Sequence, residues 1–340
     1  MHRINQQWRL KTRPVGALSQ DDFAWHEVPS PELKPGEFRA RHLYLSLDPT
    51  NRIWVNEEDS YLPAVGVGDV MRGSGIGIVE ESRHDGFKVG DIVTGVLGWQ
   101  TYPLLNGDTD MVSIIKPDGL PLPAFHSIFG AAGLTAYFGL MDIGQPKKGE
   151  TLVVSAAAGA VGSLVGQIGK REGCRVVGIA GSDKKCQWLQ ESLGFDAAIN
   201  YKTEDVAAGL SLHCPDGIDI YFDNVGGEIL DASLALINKG ARVPLCGLIS
   251  TYNDEEKQPG PRNLDKVLIK SATLRGFIVI DFLHRAEEAM NYLGAAYAAG
   301  DLQYQIHEVA GLENAPEALG MLFTGENNGK LVVKVDPDWD

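Results

Sequence analysis

The feature that most constrains this chain is a short apolar run followed at once by a turn of very small residues. Thr151-Leu152-Val153-Val154-Ser155 is too brief for a helix and too apolar for a solvent-facing strand, so it predicts a buried strand. Ala156-Ala157-Ala158-Gly159-Ala160-Val161-Gly162 comes next, and Val161, Leu164, Val165 and Ile168 then recur on one helical face. The alternation continues, with strands predicted at 175–180, 197–200, 218–222 and 241–246 and helices at 183–193, 204–210 and 228–237. Strands alternating with helices imply β-α-β units and a doubly wound parallel sheet with both faces covered. Pro244 fits such a strand only near its end or at a bulge.

The flanking segments read differently. Glu37 to Leu47 alternates apolar and polar residues and stops at Asp48-Pro49, while 75–80 and 91–97 are short strands broken by glycines. Pro117, Pro121 and Pro123 around Asp118-Gly119 form a connection, and 128–141 then predicts a helix. From about 300 the pattern returns to strands, at 304–309 and 330–335, with a helix near 315–322 between them. A chain of 340 residues implies two domains. The expected division is a discontinuous β-rich domain, 1–124 with 300–340, around an α/β domain at 125–299.

Composition narrows the partners. The formal net charge of −15 leaves no footprint for nucleic acid or an anionic membrane surface, so an anionic ligand needs a small local positive site. Cys174, Cys186, Cys214 and Cys246 are widely spaced, which predicts buried free thiols in a reducing compartment. The amino terminus lacks the apolar run of a signal peptide, and no long apolar stretch spans a membrane. The expectation is a cytoplasmic protein. Glycine, at 40 of 340 residues, is well above the usual ~7%, as tight turns and phosphate-binding loops both require.

The small-residue turn carries the chemistry. As G-x-G-x-x-G it has Ala157 in the first glycine slot; as A-x-x-G-x-x-G it fits at Ala156, Gly159 and Gly162. Gly159 lets backbone amides approach a pyrophosphate, Gly162 permits close helix–strand packing, and the helix amino terminus favours an anion. An NAD site places a carboxylate at the tip of the second strand. Here that tip is Ala180-Gly181-Ser182, followed by Asp183 and then Lys184 and Lys185. The missing acid and a nearby lysine predict NADPH, preferred over NADH by about one to two decades.

These residues form a familiar set. Gly130-Ala131-Ala132-Gly133-Leu134-Thr135-Ala136-Tyr137, the turn 155–162, and Gly181-Ser182-Asp183-Lys184-Lys185-Cys186 closely resemble the medium-chain dehydrogenase/reductase superfamily. Leu45-Ser46-Leu47-Asp48-Pro49, Asn200-Tyr201-Lys202, 221–228, 246–253 and 325–330 resemble its zinc-independent branch of leukotriene/prostaglandin, alkenal double-bond and curcumin reductases. The resemblance implies a Rossmann-type sheet plus a GroES-like catalytic domain, and a homodimer. No zinc set is legible. Arg72-Gly73-Ser74 stands where the zinc branch has Gly-His-Glu, no cysteine precedes Cys174, and His26-Glu27 lacks a second histidine.

Position by position, the resemblance assigns Ala158, Gly159, Ala160, Val161 and Gly162 to the pyrophosphate turn, and Lys185, Tyr201 and Ser182 to the 2′-phosphate. It assigns Asn224, Cys246, Gly247, Ile249 and Tyr252 to the nicotinamide side, with Phe277, Ile278, Val279 and Asn327. The implied reaction reduces the C=C bond of an enone or enal and needs a donor for the developing enolate, either a tyrosine hydroxyl or the cofactor's own ribose hydroxyl. Tyr252 is the branch's usual candidate, and Tyr61, in Asp59-Ser60-Tyr61-Leu62-Pro63, is a second. Asp48-Pro49-Thr50-Asn51-Arg52 departs from the common Asp-Pro-Tyr-Met-Arg, so an eicosanoid specificity does not carry over. Quinone reduction with NADPH, or NADPH binding with little turnover, are the alternatives.

Overall fold

The computed structural model describes residues 3–57 and 60–339, and the chain divides into two compact units. The first comprises Met1–His126, Ile306–Asn327 and Leu331–Asp340; the second comprises Ser127–Gln305 with Asn328–Lys330.

The first unit opens with β1 (Ile4–Leu10) antiparallel to β2 (Phe23–Pro29), where Trp8 faces Trp25 with ring centroids 5.1 Å apart. Strand β3 (Glu37–Ser46) is followed by a single-turn helix, α1 (Thr50–Ile53), then β4 (Ser74–Ser82), β5 (Ile92–Val96), β6 (Leu104–Asn106) and β7 (Val112–Ile115). These strands pair antiparallel, β3–β4–β5–β7, with β6 on β3. Phe38, Ala40, Val79, Val93 and Leu97 form one core of this unit, and each fully buried aliphatic side chain contributes about 1.5–3 kcal/mol.

The second unit begins with α2 (Ala131–Phe138), which widens into a loosely wound turn over 139–144 and stops at Gln145, φ 47°. The predicted 128–141 helix thus begins later, at Ala131, and its widened last turns run on to Gly144. Strand β8 (Thr151–Val154), α3 (Ala160–Arg171), β9 (Arg175–Ala180), α4 (Asp183–Glu191), β10 (Ala197–Asn200), α5 (Val206–His213), β11 (Ile218–Phe222) and α6 (Gly227–Leu234) then alternate. Next come β12 (Ile237–Leu245), α7 (Asp265–Ile269), β13 (Thr273–Gly276) and α8 (Ala286–Ala298). The six strands are parallel in the order β10-β9-β8-β11-β12-β13. Val154 packs with Leu164, Val165, Ile168 and Phe222 on one face, while Val153 packs with Ile179, Leu210, Leu234 and Val243 on the other. Alternate side chains of one strand serve both cores, which is why the run is continuously apolar.

The helix predicted over 228–237 ends at Leu234, and Ile237 instead starts β12, where its side chain joins the core with Ile218. Pro244 lies one residue before the end of β12, in continuous register with β13, and its carbonyl accepts the Asp223 amide at 2.9 Å. The strand keeps the acceptor it needs and gives up only a donor.

The chain then re-enters the first unit. Strand β14 (Ile306–Ala310), α9 (Ala315–Thr324) and β15 (Lys330–Lys334) complete its sheet in the order β14-β15-β3-β4-β5-β7. The returning segment starts at Ile306, a few residues later than the pattern at 300 implied.

Candidate cofactor and active site

Strand order in the second unit reverses at β8, whose neighbours are β9 and β11. Ligands of open α/β sheets bind beyond the carboxyl ends of the strands at such a point. The turn after β8 is tight. Ala156 has a left-handed φ of 46°, and its carbonyl accepts the Gly159 amide at 2.9 Å. A Cβ on Gly162 would come within 2.9 Å of the Ala157 Cα, so only glycine lets α3 pack against the turn. Helix α3 starts at Ala160 with no side-chain cap and no acidic residue in its first turn. Gly329 reaches the same turn through a bridge to Gly159.

Beyond β9, Ser182 caps α4 by accepting the Lys185 amide at 3.3 Å. The register of β10 on β9 sets Asn200 beside Ala180, and the Tyr201 amide donates to the Ala180 carbonyl at 3.1 Å. Asn200 donates to Asp183 at 2.6 Å and accepts the Lys202 amide at 3.1 Å, so it ties the two loops together. Lys202 lies near enough to act on Lys185: burial, and then Lys202, hold the Lys185 ammonium below the usual lysine range. Lys202 had no role assigned from the sequence. Its signal was only its place in the Asn200-Tyr201-Lys202 motif.

Beyond β11 and β12 the sequence-predicted residues converge on one hydrogen-bonded assembly. Asn224 donates through its amide side chain to the Ser155 carbonyl at 2.8 Å. The Cys246 and Gly247 amides donate to the Asp223 carbonyl at 2.8 and 3.2 Å, and the Ile249 amide donates to the Asn224 carbonyl at 3.3 Å. The Leu248 amide donates to the Tyr252 phenol oxygen at 3.0 Å. A Cβ on Gly247 would lie 3.2 Å from that oxygen, so the phenol folds back over its own loop. Burial, then Asp223, pushes the Cys246 thiol up to about 12, which removes it as a nucleophile near neutral pH.

Phe277, Ile278 and Val279 lie just beyond the carboxyl end of β13. Phe277 packs its ring edge-on to Phe222, 6.3 Å between centroids, and is partly core. Ile278 and Val279 follow it into a short 3₁₀ turn. Asn327 is buried and belongs to the first unit, as does Tyr61. The Tyr61 hydroxyl contacts the Thr50 hydroxyl, and burial raises its pKa; Asp59 of its loop lies outside the described residues. Asn51, the second departing residue, accepts the Asp48 amide at 2.8 Å and donates to the Arg72 carbonyl at 3.0 Å, so it holds the backbone of α1.

Residues 6–113 match the family described as the N-terminal domain of oxidoreductase, and residues 160–294 match the zinc-binding dehydrogenase family. The chain is 44% identical to the NADPH-dependent curcumin reductase of Escherichia coli, over 98% of each chain. It is 42% identical to prostaglandin reductase 1 of Bos taurus, over 96% of this chain and 98% of that one. The crystal structure of CurA in complex with NADPH from Vibrio vulnificus matches with a TM-score of 0.92 at 45% identity, over 97% and 99% of the two chains. The chain belongs to the curcumin, prostaglandin and alkenal reductase branch of the medium-chain dehydrogenase/reductases. Although one matching family description names zinc, no group of three or more His, Cys, Asp or Glu among the described residues of this branch member could hold a metal ion.

Proposed function

We infer that the protein is an NADPH-dependent reductase of carbon–carbon double bonds conjugated to a carbonyl. The observation that carries this reading is a conjunction at one end of the parallel sheet. An uncapped helix amino terminus, a lysine pair and a phenol that already accepts a hydrogen bond all lie beyond its strands.

The residues fit NADPH. Ala158 to Gly162 offer helix-start amides and close backbone approach for the pyrophosphate. Lys185 and Lys202, with Tyr201 and Ser182, are the partners for the 2′-phosphate, where like charges need an anion between them. Asn224, Cys246, Gly247 and Ile249 form the wall for the nicotinamide ribose. By family resemblance Phe277, Ile278 and Val279 extend that wall.

When bound, NADPH supplies the hydride for the substrate's β-carbon. Negative charge then builds on the carbonyl oxygen, and a positioned donor there lowers the barrier. Tyr252 is that donor: its oxygen accepts from Leu248, which polarises the phenol and leaves its proton directed elsewhere. The α-carbon takes its proton by the same route or from water. Tyr61, with its hydroxyl against Thr50, is the second candidate donor.

NADPH absorbance followed with a panel of enones, enals and quinones tests the activity. Oxidation with the enones and enals is expected; tight NADPH binding without turnover of any of them would overturn the reading. Tyr252→Phe is expected to lower turnover about 10- to 100-fold while NADPH affinity holds. Unaltered turnover removes Tyr252 as the donor.

Two copies of this chain are proposed to associate, because β13 is an edge strand and Leu264, Leu268 and Ile269 beside it are exposed. A cytoplasmic location belongs to the same reading, supported by four free thiols. No helix among the described residues is long and apolar enough to cross a membrane.

A further inference from the structure

Asp223 directly follows β11 and is 0% exposed. One of its oxygens, Oδ1, accepts four donors: Tyr221 Oη at 2.7 Å, and Ser155 Oγ, the Val225 amide and the Gly226 amide at 3.0 Å each. The other oxygen, Oδ2, is buried with no partner. Burial raises the Asp223 pKa. A buried acid with half of its acceptors unused contributes little to stability compared with a packed apolar side chain.

Its geometry accounts for it better. The carboxylate gathers the amides of Val225 and Gly226 and so closes the turn 223–226. The carbonyls of that turn then receive the facing loop rung by rung. Asp223 takes Cys246 and Gly247, Asn224 takes Ile249, and Val225 takes the Ser250 amide at 3.1 Å and its hydroxyl at 2.6 Å. Leu248 is held between these rungs, and its amide is the group that fixes the Tyr252 phenol.

We propose that Asp223 is a positioning residue for the reaction. Its carboxylate sets the 223–226 turn, the turn sets the 246–250 loop, and the loop aims Tyr252. The proposal rests on the reading of Tyr252 as donor.

The test is a double-mutant cycle. Asp223→Ala, Asp223→Asn and Ser250→Ala are each made in the native chain and in a Tyr252→Phe background. Turnover is measured, together with calorimetric binding of 2′,5′-ADP, which reaches only the Lys185 end. Asp223→Ala is expected to lower kcat about 10- to 100-fold, the scale of a misplaced acid, with 2′,5′-ADP affinity unchanged. Asp223→Asn is expected to restore kcat to within about 3-fold, because its carbonyl oxygen can still accept the Val225 and Gly226 amides that close the turn. Ser250→Ala, which removes the exposed hydroxyl bond of the last rung and keeps its amide bond, is expected to cost about 3-fold. In the Tyr252→Phe background all three effects are expected to vanish.

Losses that multiply with that of Tyr252→Phe would overturn the relay while leaving Tyr252 as donor. So would an Asp223→Asn variant as impaired as Asp223→Ala, since charge would then be the cause. Unaltered turnover in Tyr252→Phe alone overturns the donor reading itself. If Asp223→Ala does not fold, the Ser250→Ala arm decides.

Discussion

Lys185 and Lys202 are like charges brought together by the pairing of β10 on β9, a juxtaposition that a bound dianion relieves. Lys185→Ala is expected to weaken NADPH about one to two decades and leave NADH nearly unchanged, as read by titration of each cofactor. Lys202→Ala is expected to cost less, about 3- to 10-fold, because its side chain is more exposed. The pH dependence separates the two roles. Phosphate binding needs the Lys185 ammonium, so NADPH affinity falls as pH rises through its lowered pKa. Removing Lys202 takes away one of the causes of that lowering, and the fall moves to higher pH. A profile that stays in place would show that Lys202 does not act on Lys185. Lys185 was legible in the sequence because it follows a strand tip that lacks the NAD-type acid. Lys202 was not, since a lysine after a strand looks like a solvated side chain until the pairing of β10 on β9 brings it near Lys185. The Leu248–Tyr252 hydrogen bond was hidden for a similar reason, as backbone donors have no residue type.

At the scale of elements, small residues at a strand-to-helix turn do two separable things: they admit a ligand and they let a helix touch a strand. Gly162 serves the contact, because a Cβ there meets the backbone of the turn. Gly162→Ala is expected to lift α3, lowering stability by about 1–3 kcal/mol and weakening NADPH in the same variant. Gly294, inside α8, has nothing within 4 Å of its Cβ position. Gly294→Ala is therefore expected to raise stability by up to about 1 kcal/mol and leave NADPH alone. Chemical denaturation of both variants checks the pair, and equal effects would mean that packing at the turn is not the cause. The order and type of the elements in the parallel sheet were readable because Val153 and Val154 must serve two faces. Their ends were less so. Ile237 belongs to a strand because a core position beside Ile218 competes with the helical pattern, and that competition is tertiary.

For the whole molecule the question is what covers the open edge of the six-stranded sheet. Among the described residues strand β13 bonds only to β12, and the helix beside it presents Leu268 82% exposed and Ile269 63% exposed. Exposed edge strands with adjacent apolar side chains are an aggregation hazard unless something pairs with them. A second copy can do so about a two-fold axis, which brings each β13 against its counterpart and α7 against α7. Charge opposes this step, since each chain carries −15. Screening should therefore strengthen the association as salt rises toward physiological levels. Light scattering is expected to give twice the 36.8 kDa of one chain, with the dimer fraction increasing with ionic strength. Leu268→Glu adds a charge to the apolar face and is expected to yield a folded monomer that loses only the dimer's concentration-dependent share of thermal stability, because that side chain is 82% exposed within its own chain. A native chain that stays monomeric at micromolar concentration and physiological salt would leave β13 uncovered and overturn the proposal.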